Sequence, residues 1–320
     1  MKRMLAGCFA AVLVLFAAGC EKVIEFKGEM TKPRLTLSSY AEVGEPLTVY
    51  VASSIFFLSD QKSGRAFTES LDTLRGSVRC YVNGATTPRT LQLRREGDDS
   101  SLCYRDEGYV PEPGDHIRLE AEFTGFDPVW AETDVPRKPV LEVVSARLIE
   151  MKLDLGGLFD DEVYYDLEVT LAVTDDASYD KYYYLQPVAC LKDEWTSENW
   201  WVTYNFTSKD VIFRQMSGSN ALSLFAEQGG SYFSDELIKG QRHQFTITIS
   251  DAPFEETEFL YFGLCAATVD ESLFWFDQSY TQSLLSLGGL FAEGVTLYSN
   301  VEGGYGFFGA AYPILLDVEY

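Results

Sequence analysis

Apolar and polar residues alternate through most of the sequence after Arg34, and this alternation constrains the fold more than any other feature. The stretch PRLTLSSYAEVGEPLTVYVASS contains two such runs, separated by a turn at residues 44–46. Two further runs flank Asn83 and Gly84, a dipeptide typical of tight hairpin turns. A period of two places every second side chain on the same face of a strand. The sequence therefore predicts a mainly β protein.

The strand runs predict two domains in succession. Residues 34–138 have the length and the regular turn spacing of an immunoglobulin-like β-sandwich. Pro136 and Pro139 mark a stiff exit from this unit, because proline fixes its own backbone and restricts its neighbour. Residues 139–320 predict a second domain that is β-rich, sandwich-like, larger and less regular.

One stretch near residues 269–287 departs from the alternation. Its apolar residues recur at the three- and four-residue intervals of a helix face. Thr268 and Glu271 have the spacing of a capping box, in which two side chains satisfy the first backbone amides of a helix. We therefore expect a short helix inside the second domain.

The first residues indicate an exported protein. Two basic residues precede an apolar run that is too short to span a membrane, and residues 17–20 read AAGC. This junction resembles a bacterial lipoprotein processing site. It predicts a signal peptide over residues 1–19, lipidation of Cys20, for example with palmitate, and a lipid-anchored linker over residues 20–33. An ordinary secretory signal with an incidental cysteine is the alternative.

The charge of the chain argues against one class of partner. The sequence contains 49 acidic and 25 basic residues, which gives a formal net charge of −24. Such a field repels nucleic acid, and no basic patch counteracts it. We therefore expect no nucleic acid as a partner. The predicted acyl anchor at the N-terminus makes a lipid bilayer the expected partner.

Four cysteines follow the lipidation site, namely Cys80, Cys103, Cys190 and Cys265. Cys80 and Cys103 flank a predicted hairpin, in which cross-strand neighbours approach closely enough for a disulfide. The sequence therefore predicts a possible disulfide between these two residues. Buried thiols that pack as small apolar side chains are the alternative for all four.

The segment LYSNVEGGYGFFGA places Gly304, Gly306 and Gly309 at the G-x-G-x-x-G spacing of dinucleotide-binding loops. Such a loop must lead into a helix whose first amides meet the phosphates. The residues after Gly309 read AAYPILLDVEY, which alternates like a strand and contains a proline. We therefore expect Gly303, Gly304, Gly306 and Gly309 to form a structural glycine turn between two strands, and we expect no cofactor.

Candidates for catalysis are few. His116 and His243 each follow a glycine turn into a strand, and their spacing indicates neither a catalytic triad nor a metal site. Acidic pairs such as Asp175 and Asp176 adjoin turns without the spacing of a calcium loop. Solvated turns are expected there, with calcium binding as the alternative. The sequence thus predicts no catalytic residue, no metal site and no enzyme.

Aromatic residues crowd into the polar segment LKDEWTSENWWVTYNF. Amphipathic rings in such a setting favour contact with a ligand or a partner. The candidate contact residues are Trp195, Trp200, Trp201 and Tyr204. Packing of alternate strand residues into a core is the competing interpretation, and Trp200 and Trp201 are expected on opposite faces.

Four segments carry a resemblance to a known family: CEKVI from residue 20, PGDHIRLEAEF with the following AETDVP, YFSDELIKGQRHQFTITI, and LYSNVEGGYGFFGA. In these segments the chain resembles the DUF4249-type family of Bacteroidota outer-membrane lipoproteins of unknown function, often encoded beside TonB-dependent transporters. The resemblance implies a lipid-anchored protein at the outer membrane, on either leaflet. It also implies a structural role for the glycines.

The resemblance implies an accessory lipoprotein that captures a nutrient or partners a TonB-dependent barrel transporter. The ligand would be a small molecule, a glycan or a peptide. One alternative is a glycan or peptide hydrolase with convergent carboxylates, which leave no trace in sequence spacing. The other is a structural surface or adhesion protein. Co-purification with a barrel favours the first function, turnover of glycans or peptides the second, and neither result the third.

Overall fold

The computed structural model describes residues 32–54, 75–96, 101–153, 162–192, 199–214, 231–250, 254, 259–286 and 295–320. The signal peptide, Cys20 and Trp195 lie outside these residues, so the statements about them stay predictions. Within the described ranges, no helix is both long enough and apolar enough to cross a membrane.

Strands dominate the described residues, and helices are few. The strands are β1 (Leu35–Glu42), β2 (Thr48–Ser53), β3 (Gly76–Val82), β4 (Arg89–Thr90), β5 (Gln92–Glu96), β6 (Ser101–Arg105), β7 (His116–Phe123), β8 (Val129–Asp134), β9 (Leu141–Leu153), β10 (Glu162–Thr174), β11 (Tyr182–Lys192), β12 (Asn199–Thr203), β13 (Ser231–Ser234), β14 (Arg242–Ile249), β15 (Tyr261–Val269) and β16 (Tyr305–Asp317). The helices are α1 (Val211–Arg214) and α2 (Glu271–Ser286). The prediction of a mainly β protein with a helix near residues 269–287 is confirmed.

Nine strands join into one large sheet. The order of eight of these strands is β12, β11, β15, β16, β1, β2, β6 and β5, and the ninth strand, β13, also pairs with β11. Strands β1 and β16 are parallel, with Thr36 opposite Tyr305 and Glu42 opposite Ala311. Strands from the two predicted domains therefore meet in the middle of one sheet.

Two smaller sheets, β4-β3-β7-β8 and β14-β10-β9, complete two sandwiches. Each encloses its own hydrophobic core against the large sheet. Phe308 and Ala310 of β16 lie in the first core, whereas Ile314 and Leu316 of the same strand pack against the second. All four are even-numbered, and alternate residues of a strand share one face. Both cores therefore lie side by side on the same face of the large sheet.

Strand β7 illustrates how the alternation builds the first core. Its sequence is HIRLEAEF, and its four apolar residues are almost completely buried. The intervening residues include Arg118 and Glu120, which form an ion pair on the other face of the strand. Burial of a large aliphatic side chain contributes about 1.5–3 kcal/mol. The period of two thus decides which face of this strand turns inward.

The two predicted domains are not independent segments of the chain. Val301, Phe308 and Ala310 belong to the core of the first sandwich, although they come from the C-terminal part of the sequence. A boundary at residue 138 therefore separates the two sandwiches only in part. The reason is β16, which crosses both cores.

The turn that follows β3 has the predicted geometry. Asn83 and Gly84 have φ values of 54° and 70°, and the amide of Ala85 donates to the carbonyl of Val82 at 3.0 Å. Two central residues with positive φ are the mark of a type I′ turn. The chain then returns along β3 through the short strand β4.

The predicted disulfide between Cys80 and Cys103 is not formed, and both side chains are buried thiols. Cys80 lies on β3, opposite Leu119 of β7, in the four-stranded sheet. Cys103 lies on β6, opposite Arg94 of β5, in the large sheet. The two cysteines therefore belong to strands of different sheets and not to the two arms of one hairpin.

The glycine-rich segment differs from the predicted turn between two strands. Gly303 and Gly304 precede β16, whereas Gly306 and Gly309 lie within it. Gly306 has a φ of 108°, and a Cβ atom there would overlap the carbonyl oxygen of Leu37 on β1. At Gly309 a Cβ atom would lie 2.7 Å from the Cβ of Leu273 on helix α2. The glycines have a structural role, as predicted, and close approach of backbones explains two of them.

Helix α2 begins at a different cap from the predicted one. The carboxylate of Asp270 accepts the backbone amide of Leu273 at 3.0 Å, which makes it the N-cap residue. It also accepts the amide of Ala310 at 2.7 Å and the hydroxyl of Thr133 at 2.7 Å. Burial raises the pKa of Asp270, and these donors oppose that shift. One buried carboxylate thus connects helix α2 to β16 and β8.

Candidate functional site

A cleft of about 580 Å³ lies between helix α2 and the ends of strands β11 and β13. Its described lining contains three carboxylates, three aromatic rings and two side-chain amides, together with one ammonium group. Clefts of about 300–1,000 Å³ are the usual size for sites that enclose a small molecule. This cleft is therefore the main candidate site among the described residues.

Three aromatic rings form one wall of the cleft. Tyr182 of β11 stacks on Phe274 of α2, with ring centroids 4.3 Å apart and an angle of 21° between the planes. Trp275 packs edge-on against Phe274 at 5.0 Å and is 44% exposed. Its indole N–H donates to the carboxylate of Glu271 at 3.1 Å, one helical turn earlier. The exposed indole is therefore held in a fixed orientation.

Two further contacts hold helix α2 against the large sheet. Phe276 stacks on Phe307 of β16 with ring centroids 3.7 Å apart. The hydroxyl of Tyr232 on β13 donates to the carboxylate of Asp277. Burial raises the pKa of Asp277, and the bond from Tyr232 opposes that shift. A stacked ring pair and a partly buried hydrogen bond thus fasten the helix to two strands of the large sheet, and the helix forms a wall of the cleft.

Asp235, which follows β13, differs from the other acidic groups of the cleft. The residue is only 3% exposed, and its Oδ2 atom has no hydrogen-bond partner among the described residues. Burial raises the pKa of its carboxyl group; the charge of Asp175 acts in the same direction, whereas Lys181 and Lys239 oppose the shift. A buried polar atom without a partner costs free energy. Folding therefore leaves an unsatisfied, buried acceptor on a residue that lines the cleft.

The nearest buried cation is already paired with other carboxylates. The ammonium nitrogen of Lys181 lies 2.7 Å from Asp175 and 2.5 Å from Asp176. Burial tends to raise the pKa of Asp175, but Lys181 and the amides of Gly240 and Ala177 lower it overall. The predicted solvated turn holds for Asp176, whereas Asp175 is buried. Because Lys181 is paired with Asp175 and Asp176, it forms no ion pair with Asp235 in the described residues.

A metal site is not indicated at this cleft. No group of three or more histidine, cysteine or acidic side chains in the described residues could hold a metal ion. His116 pairs with Asp134 at 2.8 Å, and His243 lies 3.1 Å from Asp210. These histidines are on β7 and β14, which belong to different sheets. Each histidine is thus paired with an acidic residue on its own sheet or beside it.

The predicted aromatic contact residues divide into two groups. Trp200 and Trp201 lie on β12 at the edge of the large sheet, and they are 50% and 59% exposed. Trp201 approaches the ring of Tyr261 at 5.7 Å. Tyr204 instead packs against the second core, with its ring 6.1 Å from that of Phe262. Core packing is thus the outcome for Tyr204 and exposure the outcome for the two tryptophans.

The tryptophan edge, defined as Trp200 and Trp201, is distant from the cleft. Trp201 lies opposite Cys190 of β11, whereas the cleft is at Tyr182 of the same strand. Eight residues of extended strand span about 26 Å. The structure therefore separates the cleft and the tryptophan edge into two surfaces.

Comparison with protein families gives one decisive match. The family described as "Domain of unknown function (DUF4249)" matches residues 21–313, which is most of the chain. The chain belongs to the DUF4249 family. Comparison of this DUF4249 protein with the curated proteins gives no match. The family membership that the sequence segments indicated is confirmed, and the family description assigns no activity.

The cleft of this DUF4249 protein was not expected from sequence. Two of its three acidic residues, Asp235 and Glu236, lie in the segment YFSDELIKGQRHQFTITI, which carried the family resemblance. Two of its three aromatic rings, Phe274 and Trp275, lie in the predicted helix. The dipeptide Asp235-Glu236, which follows β13, was the one feature of the sequence that could have indicated the cleft. It resembles an ordinary solvated turn, and only the packing of helix α2 encloses it.

Proposed function

We propose that this protein is a lipid-anchored accessory lipoprotein of the outer membrane, which captures a nutrient for a TonB-dependent transporter. The cleft beside helix α2 carries the proposal, because it combines a fixed aromatic wall with an unsatisfied buried carboxylate. Small-molecule sites characteristically combine apolar walls with a few polar groups that orient the ligand. The N-terminal sequence and the resemblance to transporter-associated lipoproteins support the location.

The tryptophan edge is the proposed contact for the transporter. Exposed tryptophans are rare on ordinary surfaces and frequent at the centres of protein interfaces. Strand β12 also ends the large sheet on that side in the described residues, so its outer backbone groups are available to a partner. Separate surfaces for ligand and partner allow the protein to hold a nutrient while it is bound to the barrel.

A detergent pull-down tests the partner. Wild-type protein is expected to recover a TonB-dependent barrel, and the Trp200→Ala/Trp201→Ala protein is expected to lose it. Tyr164→Ala is the matched control, because Tyr164 is 43% exposed on β10 of another sheet. Absence of any barrel in the wild-type sample, together with normal growth of a deletion strain on the imported nutrient, would refute the transporter role.

A labelling experiment tests the anchor. Cys20→Ser protein is expected to incorporate no labelled palmitate, because the thiol that receives the lipid is replaced by a hydroxyl. Cys80→Ser is the matched control, because Cys80 is buried inside the first sandwich. Equal labelling of wild-type and Cys20→Ser protein would contradict lipidation at this residue.

Hydrolysis of a glycan or peptide is the second candidate function. Burial raises the pKa of Asp235, which favours a proton-carrying carboxyl group beside other acids in the cleft. Hydrolases place such a group opposite an ionised carboxylate. Incubation with glycan and peptide panels separates the two functions. Recovery of the bound ligand unchanged supports capture, whereas cleavage that Asp235→Asn abolishes supports hydrolysis.

A further inference from the structure

We propose that the cleft selects ligands that carry a protonated amine on a ring or another compact apolar body. The inference rests on the proposed capture function and adds the chemical class of the ligand. Three features of the cleft support it, namely its charge balance, the unsatisfied oxygen of Asp235 and its aromatic wall.

The charge balance of the cleft favours a cation. Among the described lining residues, Asp180, Asp235 and Glu236 are acidic, and Lys239 is the single basic side chain. Lys239 forms an exposed ion pair with Asp180 at the rim. Lys239 also acts on Asp235 through space, but its direct ion pair is with Asp180, so the described lining keeps an excess of negative charge. A bound anion would meet like charge, whereas a bound cation would neutralise it.

The carboxylate of Asp235 supplies the specific contact when its side chain turns its buried oxygen toward the cleft. Its Oδ2 atom has no partner in the described part of the chain, and the residue is 3% exposed. An ammonium N–H donates a charge-assisted hydrogen bond to such an oxygen, and these bonds are about twice as strong as neutral ones. A ligand hydroxyl at the same position would form only the weaker bond. The unsatisfied oxygen thus discriminates between an amine and an alcohol of equal size.

The aromatic wall fits the remainder of the ligand. Tyr182 and Trp275 offer ring surface to the cleft, and cations are attracted to the faces of such rings. Gln278 and Gln282 lie four residues apart on α2, so their amides project from the same side of the helix. The wall therefore accommodates an apolar ring, and the amides can hydrogen-bond its substituents.

A metal ion fits the same negative charge less well. No set of three suitable ligand side chains converges within the described residues. The cleft volume of about 580 Å³ also suits an organic molecule, since such molecules occupy clefts of about 300–1,000 Å³. The geometry therefore indicates an organic cation.

Two isosteric pairs test the selectivity by calorimetry with the mature chain at pH 7. In glucosamine and glucose, and in tyramine and tyrosol, an amine replaces a hydroxyl group. At least one amine is expected to bind about tenfold or more tightly than its alcohol, which corresponds to about 1.4 kcal/mol. The Asp235→Asn protein is expected to lose that preference while it keeps weak binding. Glu45→Gln is the control, because Glu45 is an exposed acid in a turn that is distant from Asp235 in sequence and is not part of the cleft lining.

Each outcome has a defined meaning. Equal binding of amine and alcohol, an amine preference that survives Asp235→Asn, or no binding of either amine at millimolar concentration would overturn the inference. The first of these results would leave the capture function intact, because an alcohol would still be bound. Failure of the capture function itself is measured separately, by the pull-down and the growth experiment. The melting temperature of Asp235→Asn without ligand confirms that the variant is folded.

Discussion

Gly306 provides the sharpest test of the packing between β1 and β16. Its φ of 108° belongs to the region that glycine tolerates and other residues rarely adopt. Gly44 has almost the same φ, 102°, but nothing lies within 4 Å of a Cβ atom placed there. At Gly306 the same atom would overlap the carbonyl oxygen of Leu37. The two glycines therefore separate the cost of backbone conformation from the cost of a steric overlap.

The magnitudes follow from this comparison. Strain at an unfavourable φ costs about 1–3 kcal/mol, so Gly44→Ala is expected to lower the free energy of unfolding by that amount. In Gly306→Ala, β1 must also move away from β16, which weakens two or three backbone hydrogen bonds of about 1 kcal/mol each. We expect Gly306→Ala to be less stable than Gly44→Ala by about 2–3 kcal/mol.

Urea unfolding of the protein, followed by tryptophan fluorescence, measures both values. The difference between the variants appears as a shift in the midpoint concentration at unchanged slope. Equal losses of stability for Gly44→Ala and Gly306→Ala would refute the close approach of Leu37. A changed slope would instead indicate that the variant no longer unfolds in the same single transition.

Three further predictions concern buried groups. Lys181→Met leaves Asp175 buried without its cation and should cost about 3–5 kcal/mol in a urea titration; Lys152→Met breaks only an exposed pair and should cost less than about 1 kcal/mol. Burial raises the pKa of Cys80 to about 12, so iodoacetamide at pH 8 should not alkylate Cys80 in the folded protein, and mass spectrometry of a labelled peptide would contradict this. Because the folded-state pKa of Asp235 is raised, its stabilising contribution is complete below about pH 4 and is lost as the pH rises through the folded-state value. Asp235→Asn should therefore melt above the wild type at pH 7 and close to it below pH 4, and a lower melting temperature at pH 7 would contradict the unpaired carboxylate.

Local features of the fold followed from the sequence, and long-range pairings did not. The alternation in HIRLEAEF predicts which side chains of β7 are buried, and Asn83 with Gly84 predicts the turn after β3. Both features depend only on residues that are close in sequence. The parallel pairing of β1 with β16 has no such signature, since nothing in either strand identifies its partner. The predicted disulfide between Cys80 and Cys103 was wrong for the same reason, because nothing local shows that their strands belong to different sheets.

The candidate site was even less accessible to sequence reasoning. Asp235 and Trp275 belong to segments that are separated along the chain, and each alone resembles an ordinary turn or helix residue. Only the seating of helix α2 on the large sheet brings them together. The sequence singled out Trp200 and Trp201 as a cluster of tryptophans in a polar segment, but it left open whether they are exposed or packed in a core, and only the fold shows that both are exposed.

The pairing of β1 with β16 also governs the order in which the chain can fold. These strands are about 270 residues apart in sequence, and Phe308 fills the first core beside Leu35 and Leu37. During synthesis, β1 therefore waits for its partner β16 until about 270 further residues have been added to the chain. Contacts of such long sequence separation slow folding. The first sandwich accordingly closes only after a segment that is made about 270 residues later than its first strand has docked beside that strand.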